Sequence, residues 1–419
     1  MKSSKTKKVK IINEKTMIAA LDIGKLNHYA YFRGPNGKDI KPFSFQNSKR
    51  SFTQFWMKLC QFKRKEGLEE VVIGFESTGP YAEPLLHYLK KKSVKLVQIN
   101  PVHSKRLKEM TGNSPNKTDK KDPRVIADII SLGHALTLVV PEGSAAQLRR
   151  LTQARERSIK NRTVMINQLQ HLIFVIFPEF LKIFKNISTK SAMYLIKNHP
   201  AHEDIVSMGL ESLTHILRRI SRYKLSEQRV KKLFEAAQGS IGIEEGKKSI
   251  LMEIGHLAHS IENESCFIDD LEKQMAHHLD QIPYSPSILS IKGIGLITTA
   301  GLIGEVGDFK NFNTISEMMK LAGLDLFEIS SGKHKGKRRI SKRGRSLMRK
   351  LLYFAAINVV KSHGIMHERY QEMLDRGMPK MKALVATSRK LLGLIFALAR
   401  DNTVYVENYR DNHQFKLAA

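Results

Sequence analysis

Apolar positions run in short continuous or alternating stretches through the first third of the chain. After that they recur at intervals of three and four. Residues 17–23 form an unbroken apolar run that ends on Asp22-Ile23-Gly24, and residues 28–33, with Tyr29, Tyr31 and Phe32, form a second strand-like stretch. The turn Gly34-Pro35-Asn36-Gly37 leads to a short third strand at 41–46. Residues 51–62 then place Phe52, Phe55, Trp56 and Leu59 on one helical face. Residues 71–76 and 95–100 read as buried-type strands on either side of a helix at 82–91, and helices follow at 101–110 and 123–132. A hairpin meander joined to crossover units predicts a mixed sheet with helices on its faces.

Beyond residue 145 the period becomes helical. Residues 147–177 set Leu148, Leu151, Met165, Leu169, Leu172 and Ile176 on one stripe, with a basic middle of Arg155, Arg157, Lys160 and Arg162. Ile254, Leu257, Ile261, Ile268, Leu271 and Met275 alternate at spacings of three and four, interrupted by Glu264, which is the pattern of a coiled-coil seam. An intramolecular hairpin and a dimer interface satisfy that seam equally. Residues 183–245, with Leu217-Arg218-Arg219-Ile220 and Tyr223-Lys224, read as further helices without a diagnostic motif. From Ser285, Ile291-Lys292-Gly293-Ile294-Gly295 leads into an apolar helix at 296–303. Apolar-x-Gly-apolar-Gly between helices resembles the helix-hairpin-helix motif. In that motif Gly293 and Gly295 would let backbone N–H groups approach a DNA phosphate, with Lys292 beside them. A packing turn is the plain alternative. The expected fold class is thus α/β plus all-α. Its segments are a basic tail (1–16), a mixed-sheet domain (17–140), a helical coiled-coil region (145–284), a helical C-terminal domain (285–400) and a terminal tail (401–419).

Charge narrows the partner. The chain has 419 residues, with 70 Lys+Arg against 40 Asp+Glu, a net +30 and a pI near 10.0. That excess does not suit an ordinary metabolic enzyme and points to a polyanion. Cys60 and Cys266 are far apart, so neither a disulfide framework nor a zinc cluster is expected, and His256/His259 and His277/His278 read as helix-surface pairs. The basic start has no signal-peptide core after it, and the longest apolar run, 391–399, is too short to cross a bilayer. A cytoplasmic protein without a membrane partner is expected.

Candidate chemistry lies in four carboxylates and one hydroxyl. Asp22 and Glu76 each end an apolar strand, while Asp119 and Asp122 are three apart where a helix begins, with Pro123 suited to its first turn. Taken singly they are a turn residue, a costly buried carboxylate and a helix cap. Together they offer an oxygen-rich pocket for Mg²⁺ acting on a phosphodiester. Ser330-Ser331-Gly332 precedes a strongly basic run that includes Lys333, Lys335, Arg338, Arg339, Lys342, Arg343 and Arg345. By residue type alone the serines are turn residues.

The element order resembles the ribonuclease H-like fold in its Holliday-junction-resolvase (RuvC-like) branch, where carboxylates end the first and fourth strands and begin the last helix. Asp22-x-Gly-Lys, Glu76-Ser-Thr-Gly, Lys117-Thr-Asp-x-x-Asp, Ile291-x-Gly-Ile-Gly, Ala322-Gly-Leu and Ser331-Gly, followed by Ile340-Ser-Lys-x-Gly-x-x-x-x-Arg349, occur in that order. The set resembles the DEDD-type insertion-sequence transposases, the bridge-RNA-guided recombinases to which pilin-gene invertases are related. The resemblance implies Mg²⁺ held by Asp22, Glu76, Asp119 and Asp122, and a nucleophilic Ser331 that forms a phosphoserine link to DNA. It also implies a composite site between protomers, dimers pairing into tetramers on donor and target DNA, and a structured bridge RNA that sets sequence choice. Two positions depart from the pattern: Leu326 stands where the family has Pro, and Pro123 where it has Ala. Three other readings are a junction endonuclease that uses water, an actin-like ATPase with Leu21-Asp22-Ile23-Gly24 as phosphate loop, and a non-enzymatic nucleic-acid scaffold. The ATPase lacks its second glycine-rich loop, and the scaffold has no use for four carboxylates.

Overall fold

The apolar run near the start becomes β1 (Thr16–Ile23), which folds back into β2 (Asn27–Arg33) and then β3 (Asp39–Gln46), each pair antiparallel. α1 (Lys49–Lys65) starts where the Ser48 hydroxyl accepts from the Ser51 N–H, a standard N-cap, and it buries Phe52, Phe55, Leu59 and Phe62. The chain continues through β4 (Glu70–Glu76), α2 (Glu83–Lys90), β5 (Lys95–Ile99), α3 (Pro101–Gly112), α4 (Asp122–Ser131) and β6 (Leu136–Thr137). The sheet order is β3-β2-β1-β4-β5-β6, with β1, β4 and β5 mutually parallel. This mixed sheet is consistent with a ribonuclease H-like domain. The computed structural model describes residues 12–76, 79–112, 122–328, 330–331, 334–336, 338–361 and 364–407.

Alternation along the strands gives the sheet two apolar faces. Met17, Ala19, Leu21 and Ile23 lie with Phe32, Ile73 and Phe75 beneath α1 and α2. Ile18, Ala20, Tyr31, Val72, Val97 and Ile99 lie beneath α4 through Val125, Ile126, Ile129 and Ile130. β6, two residues long, is too short to leave a period in the sequence.

Residues 1–139 and 140–419 form two separate units. In the second, α5 (Gly143–Ile176) and α11 (Lys247–Asp280) are 34 residues each and lie against one another. Ser144–Gln281, Arg155–Glu272 and Arg162–Ser265 pair in opposing order, so the two run antiparallel within one chain. The seam read from the sequence is therefore filled intramolecularly, with Ile254, Leu257, Ile261, Ile268, Leu271 and Met275 all buried. Between the long helices, α6 (Pro178–Ile183), α7 (Lys190–Asn198), α8 (His202–Met208), α9 (Leu210–Ile220) and α10 (Glu227–Gln238) close their own core around Phe177, Phe180, Leu195, Leu213, Leu217 and Leu233.

The remaining elements are α12 (Ser285–Leu289), α13 (Leu296–Val306), α14 (Ile315–Ala322), β7 (Leu326–Phe327), β8 (Ser330–Ser331), β9 (His334–Lys335), β10 (Arg339–Ile340), α15 (Ser346–Val359), α16 (Ile365–Asp375) and α17 (Lys380–Asp401). α13 lies along α5. The middle helical region and the C-terminal region, expected as successive segments, thus share one unit. No helix among the described residues is long and apolar enough to cross a membrane.

Candidate active site

In the first unit the strand register brings the acids together. β1 and β4 run parallel with Leu21 opposite Phe75, so Asp22 and Glu76 are the next residues on adjacent strands. Leu21 and Phe75 belong to the face under α1 and α2. One step along each strand turns Asp22 and Glu76 to the α4 face, and both are half-buried. Tyr29 of β2 is paired with Asp22 in the antiparallel register and shares that face.

α4 carries the third carboxylate at its first residue. Arg33, paired with Ile18 on β1, donates to Asp128 Oδ1 at 2.6 Å, and the Arg124 guanidinium lies 5.7 Å from the centre of the Tyr31 ring, paired with Ala20. Reading back from Asp128 to Arg124, the helix climbs β1 from Ile18 to Ala20. At about 1.5 Å per residue its first residue, Asp122, lies about 3 Å further toward the strand end that carries Asp22 and Glu76. Two features seat the helix. Ile126, Ile129 and Ile130 are buried, each contributing about 1.5–3 kcal/mol. Gly74 lets α4 approach, because a Cβ there would stand 2.3 Å from Ile130 Cδ1. Asp119 lies outside the described residues.

Asp122 has a partner that sequence reasoning missed. Lys108 of α3 places Nζ 2.7 Å from Asp122 Oδ2, and the Asp122 side chain is only 13% exposed. α3 follows β5, whose Ile99 pairs with Glu76, so the lysine arrives from the strand beside the acids. In the sequence Lys108 is one basic residue among Lys105, Arg106 and many others, and only the fold singles it out.

In the second unit Ser331 lies near the tip of an arm. β7 pairs with β10 (Phe327 with Arg339, Leu326 with Ile340), and β8 pairs with β9 (Ser330 with Lys335, Ser331 with His334). The base is a tight clasp that explains the motif spacing. Arg349 Nη1 donates to the carbonyls of Ala322 and Gly344, each at 2.9 Å. Lys342 N–H donates to the Gly323 carbonyl and Arg345 N–H to the Leu321 carbonyl. A Cβ on Gly344 would stand 2.4 Å from Gly323 N, so the two loops meet only as glycines.

The expected nucleic-acid contacts divide. Arg339, Lys342 and Arg343 are exposed, and Arg338 is exposed while paired with Glu328 at 2.9 Å. Lys335 is in β9, and Lys333 lies outside the described residues. Arg345 corrects the expectation. Its side chain is 18% exposed and turned inward, where Nη1 donates to the Glu305 carbonyl and lies 3.5 Å from Oε2 of Glu305. Burial, with the nearby Arg149, pushes its guanidinium down to about 10. It supports the fold instead of facing solvent.

Lys292, Gly293 and Gly295 are exposed in the turn between α12 and α13. Gly293 is left-handed at φ 97°, and a Cβ there would meet the backbone of Asn358 and Val359 at about 3 Å. Its need for glycine is therefore met by packing against the end of α15. Gly295 begins α13 and faces open space.

Among the described residues, the group whose metal-ligating atoms all lie within 4.8 Å of one another is in the helical subdomain: His202, Glu203 and Glu244. Lys247 already occupies it, hydrogen-bonded to Glu203 and 3.3 Å from Glu244 Oε1. Despite desolvation, the Lys247 hydrogen bond holds the Glu203 carboxyl below its ordinary value. The cluster is a salt-bridge staple in which one lysine bridges two carboxylates.

Comparison with known proteins adds two family matches. Residues 19–178 match the DEDD transposase model of the insertion element IS110, and residues 285–371 match the transposase model of the IS116/IS110/IS902 family. The chain is 22% identical over 388 residues to a 43.6 kDa protein of insertion element IS110 from Streptomyces coelicolor, covering 92% of this chain and 94% of that one. It is 24% identical over 388 residues to a 44.8 kDa protein of insertion element IS116 from Streptomyces clavuligerus, covering 92% and 95%. A mini-circle putative transposase for IS117 from Streptomyces coelicolor is 25% identical over 306 residues, covering 70% and 73%.

Proposed function

Because this chain belongs to the DEDD transposases of the IS110 and IS116 insertion-sequence family, we propose that it cuts and rejoins DNA through Ser331, with Asp22, Glu76, Asp119 and Asp122 serving the same scissile phosphate. The observation that supports this reading is the parallel register that sets Asp22 and Glu76 side by side on adjacent strands, with Asp122 opening the helix packed on the same sheet face. These carboxylates provide only hard oxygen donors, the set Mg²⁺ prefers. Mg²⁺ held there would offset charge developing on the phosphate oxygens. The Ser331 oxygen attacks phosphorus as the bond to the leaving sugar oxygen breaks. A hydroxyl of the incoming strand then reverses the exchange, so the phosphodiester energy is conserved. The exposed cations Arg339, Lys342 and Arg343, with the Lys292–Gly295 turn in its helix-hairpin-helix reading, hold DNA backbone. On this reading the first unit is RuvC-like, the serine of one protomer completes the acids of another, and a structured bridge RNA chooses the sites.

Two variants test it. Ser331→Ala should abolish strand transfer, whereas persistent hydrolytic nicking with full turnover would favour a junction endonuclease that uses water. Asp22→Asn should abolish chemistry with DNA affinity unchanged, and normal recombination by that variant would end the metal assignment. Mixing the two dead chains should restore strand transfer if protomers complement one another.

A further inference from the structure

The helical subdomain of α6–α10 carries a feature that transposition chemistry does not use. α9 ends on Arg218-Arg219-Ile220, where Tyr223 N–H donates to the Arg218 carbonyl at 2.7 Å and Arg222 N–H to the Arg219 carbonyl at 3.1 Å. Such a cap asks for one left-handed residue, usually glycine. Here two consecutive residues with side chains are left-handed, Arg222 at φ 52° and Tyr223 at φ 59°. The second is not needed to end a helix, and strained backbone that persists is a mark of functional segments.

The strain presents an aromatic ring. Tyr223 is 73% exposed. The Arg218 guanidinium lies 5.3 Å from its ring centre, itself fixed by the Glu227 carboxylate. One side of the ring is thereby braced while most of the residue stays in solvent. Arg219, Arg222 and Lys224 are exposed around it, and the nearby acid, Glu227, is spent on Arg218.

We infer that the α9–α10 turn is a second nucleic-acid site, where an unpaired base stacks on Tyr223 and the flanking phosphates meet Arg219, Arg222 and Lys224. A braced aromatic among cations suits single strands, whose bases can leave the stack, and does not suit a closed duplex. RNA loops and unwound DNA share that chemistry. The inference rests on the proposed function only in taking nucleic acid as the partner. It is tested in the full-length Ser331→Ala chain, where strand transfer plays no part.

In that background Tyr223→Ala should weaken binding of oligo(U) or oligo(dT), read by fluorescence anisotropy, roughly five- to tenfold. The thermal midpoint and the affinity for duplex DNA should be unchanged. Tyr223→Trp should bind at least as tightly as the parent. Arg222→Gly, which relieves a left-handed side chain, should raise the thermal midpoint and still weaken oligonucleotide binding. Loss confined to oligo(U) assigns the site to RNA, loss confined to oligo(dT) assigns it to DNA, and equal loss assigns it to either strand. Unchanged affinity of Tyr223→Ala for both oligonucleotides overturns the inference, and so does an equal loss on duplex.

Discussion

The acidic cluster and the serine arm are built on opposite principles. Asp22 and Glu76 lie at the ends of neighbouring strands built mostly of core residues, and Asp122 begins a helix pressed onto the same sheet. Their positions are over-determined by apolar burial on both faces. Ser331 sits near the tip of a narrow hairpin whose Leu326 and Phe327 are 45% and 41% exposed and whose one salt bridge among the described residues, Arg338–Glu328, is largely in solvent. Such a bridge contributes less than about 1 kcal/mol. The acids sit on a sheet packed on both faces, whereas the foot of the arm carries its tightest described contacts. Stiffness around the arm is therefore concentrated in the clasp formed by Arg349, Gly323, Gly344 and the Arg345–Glu305 pair.

If so, the largest effect should come from Glu305→Ala. It removes the carboxylate beside the largely buried Arg345 while the main-chain carbonyl stays, and calorimetry should show a loss of about 3 kcal/mol in the unit that carries the arm. A loss below about 1 kcal/mol would mean that Arg345 relaxes to solvent and the clasp is soft. Gly74→Ala attacks the other region: a Cβ pressed against Ile130 should cost about 1–3 kcal/mol and displace α4, lowering strand transfer beyond the stability loss. Full activity after Gly74→Ala would show that Asp122 does not depend on how α4 is seated.

Smaller effects separate the two surfaces. Reversing Lys342 and Arg343 to Glu should weaken DNA binding and flatten its salt slope by about one for each phosphate the protein no longer neutralises. An unchanged slope would move the DNA path away from the foot of the arm. Lys108→Met removes the ammonium beside Asp122, so Mn²⁺ titration of the purified chain should show roughly three- to tenfold tighter binding if lysine and metal compete for that carboxylate. Weaker Mn²⁺ binding would instead make Lys108 the group that orients Asp122.

Residues 17–132 announced their elements because each buries a stripe or run of apolar side chains whose period is visible without the fold, and every strand and helix expected there is present with small shifts at the ends. The motif spacings of the second unit were visible too, but not their meaning. Arg345 read as one more cation in a basic run, and its true partner, Glu305, is 40 residues away. Lys108 was hidden for the same reason: a charge has no period, so its role depends on what lies across space.

By itself, the sequence determined the order of strands and helices, the polyanion-seeking charge and the residue types able to do phosphoryl chemistry, because these follow from local period and composition. Only the tertiary structure decided that the long seam closes within one chain, that α4 runs back along β1 toward the strand end of Asp22 and Glu76, and that one arginine of the basic run is a strut. Those outcomes rest on contacts between residues distant in sequence, where burial and charge pairing compete across the whole fold.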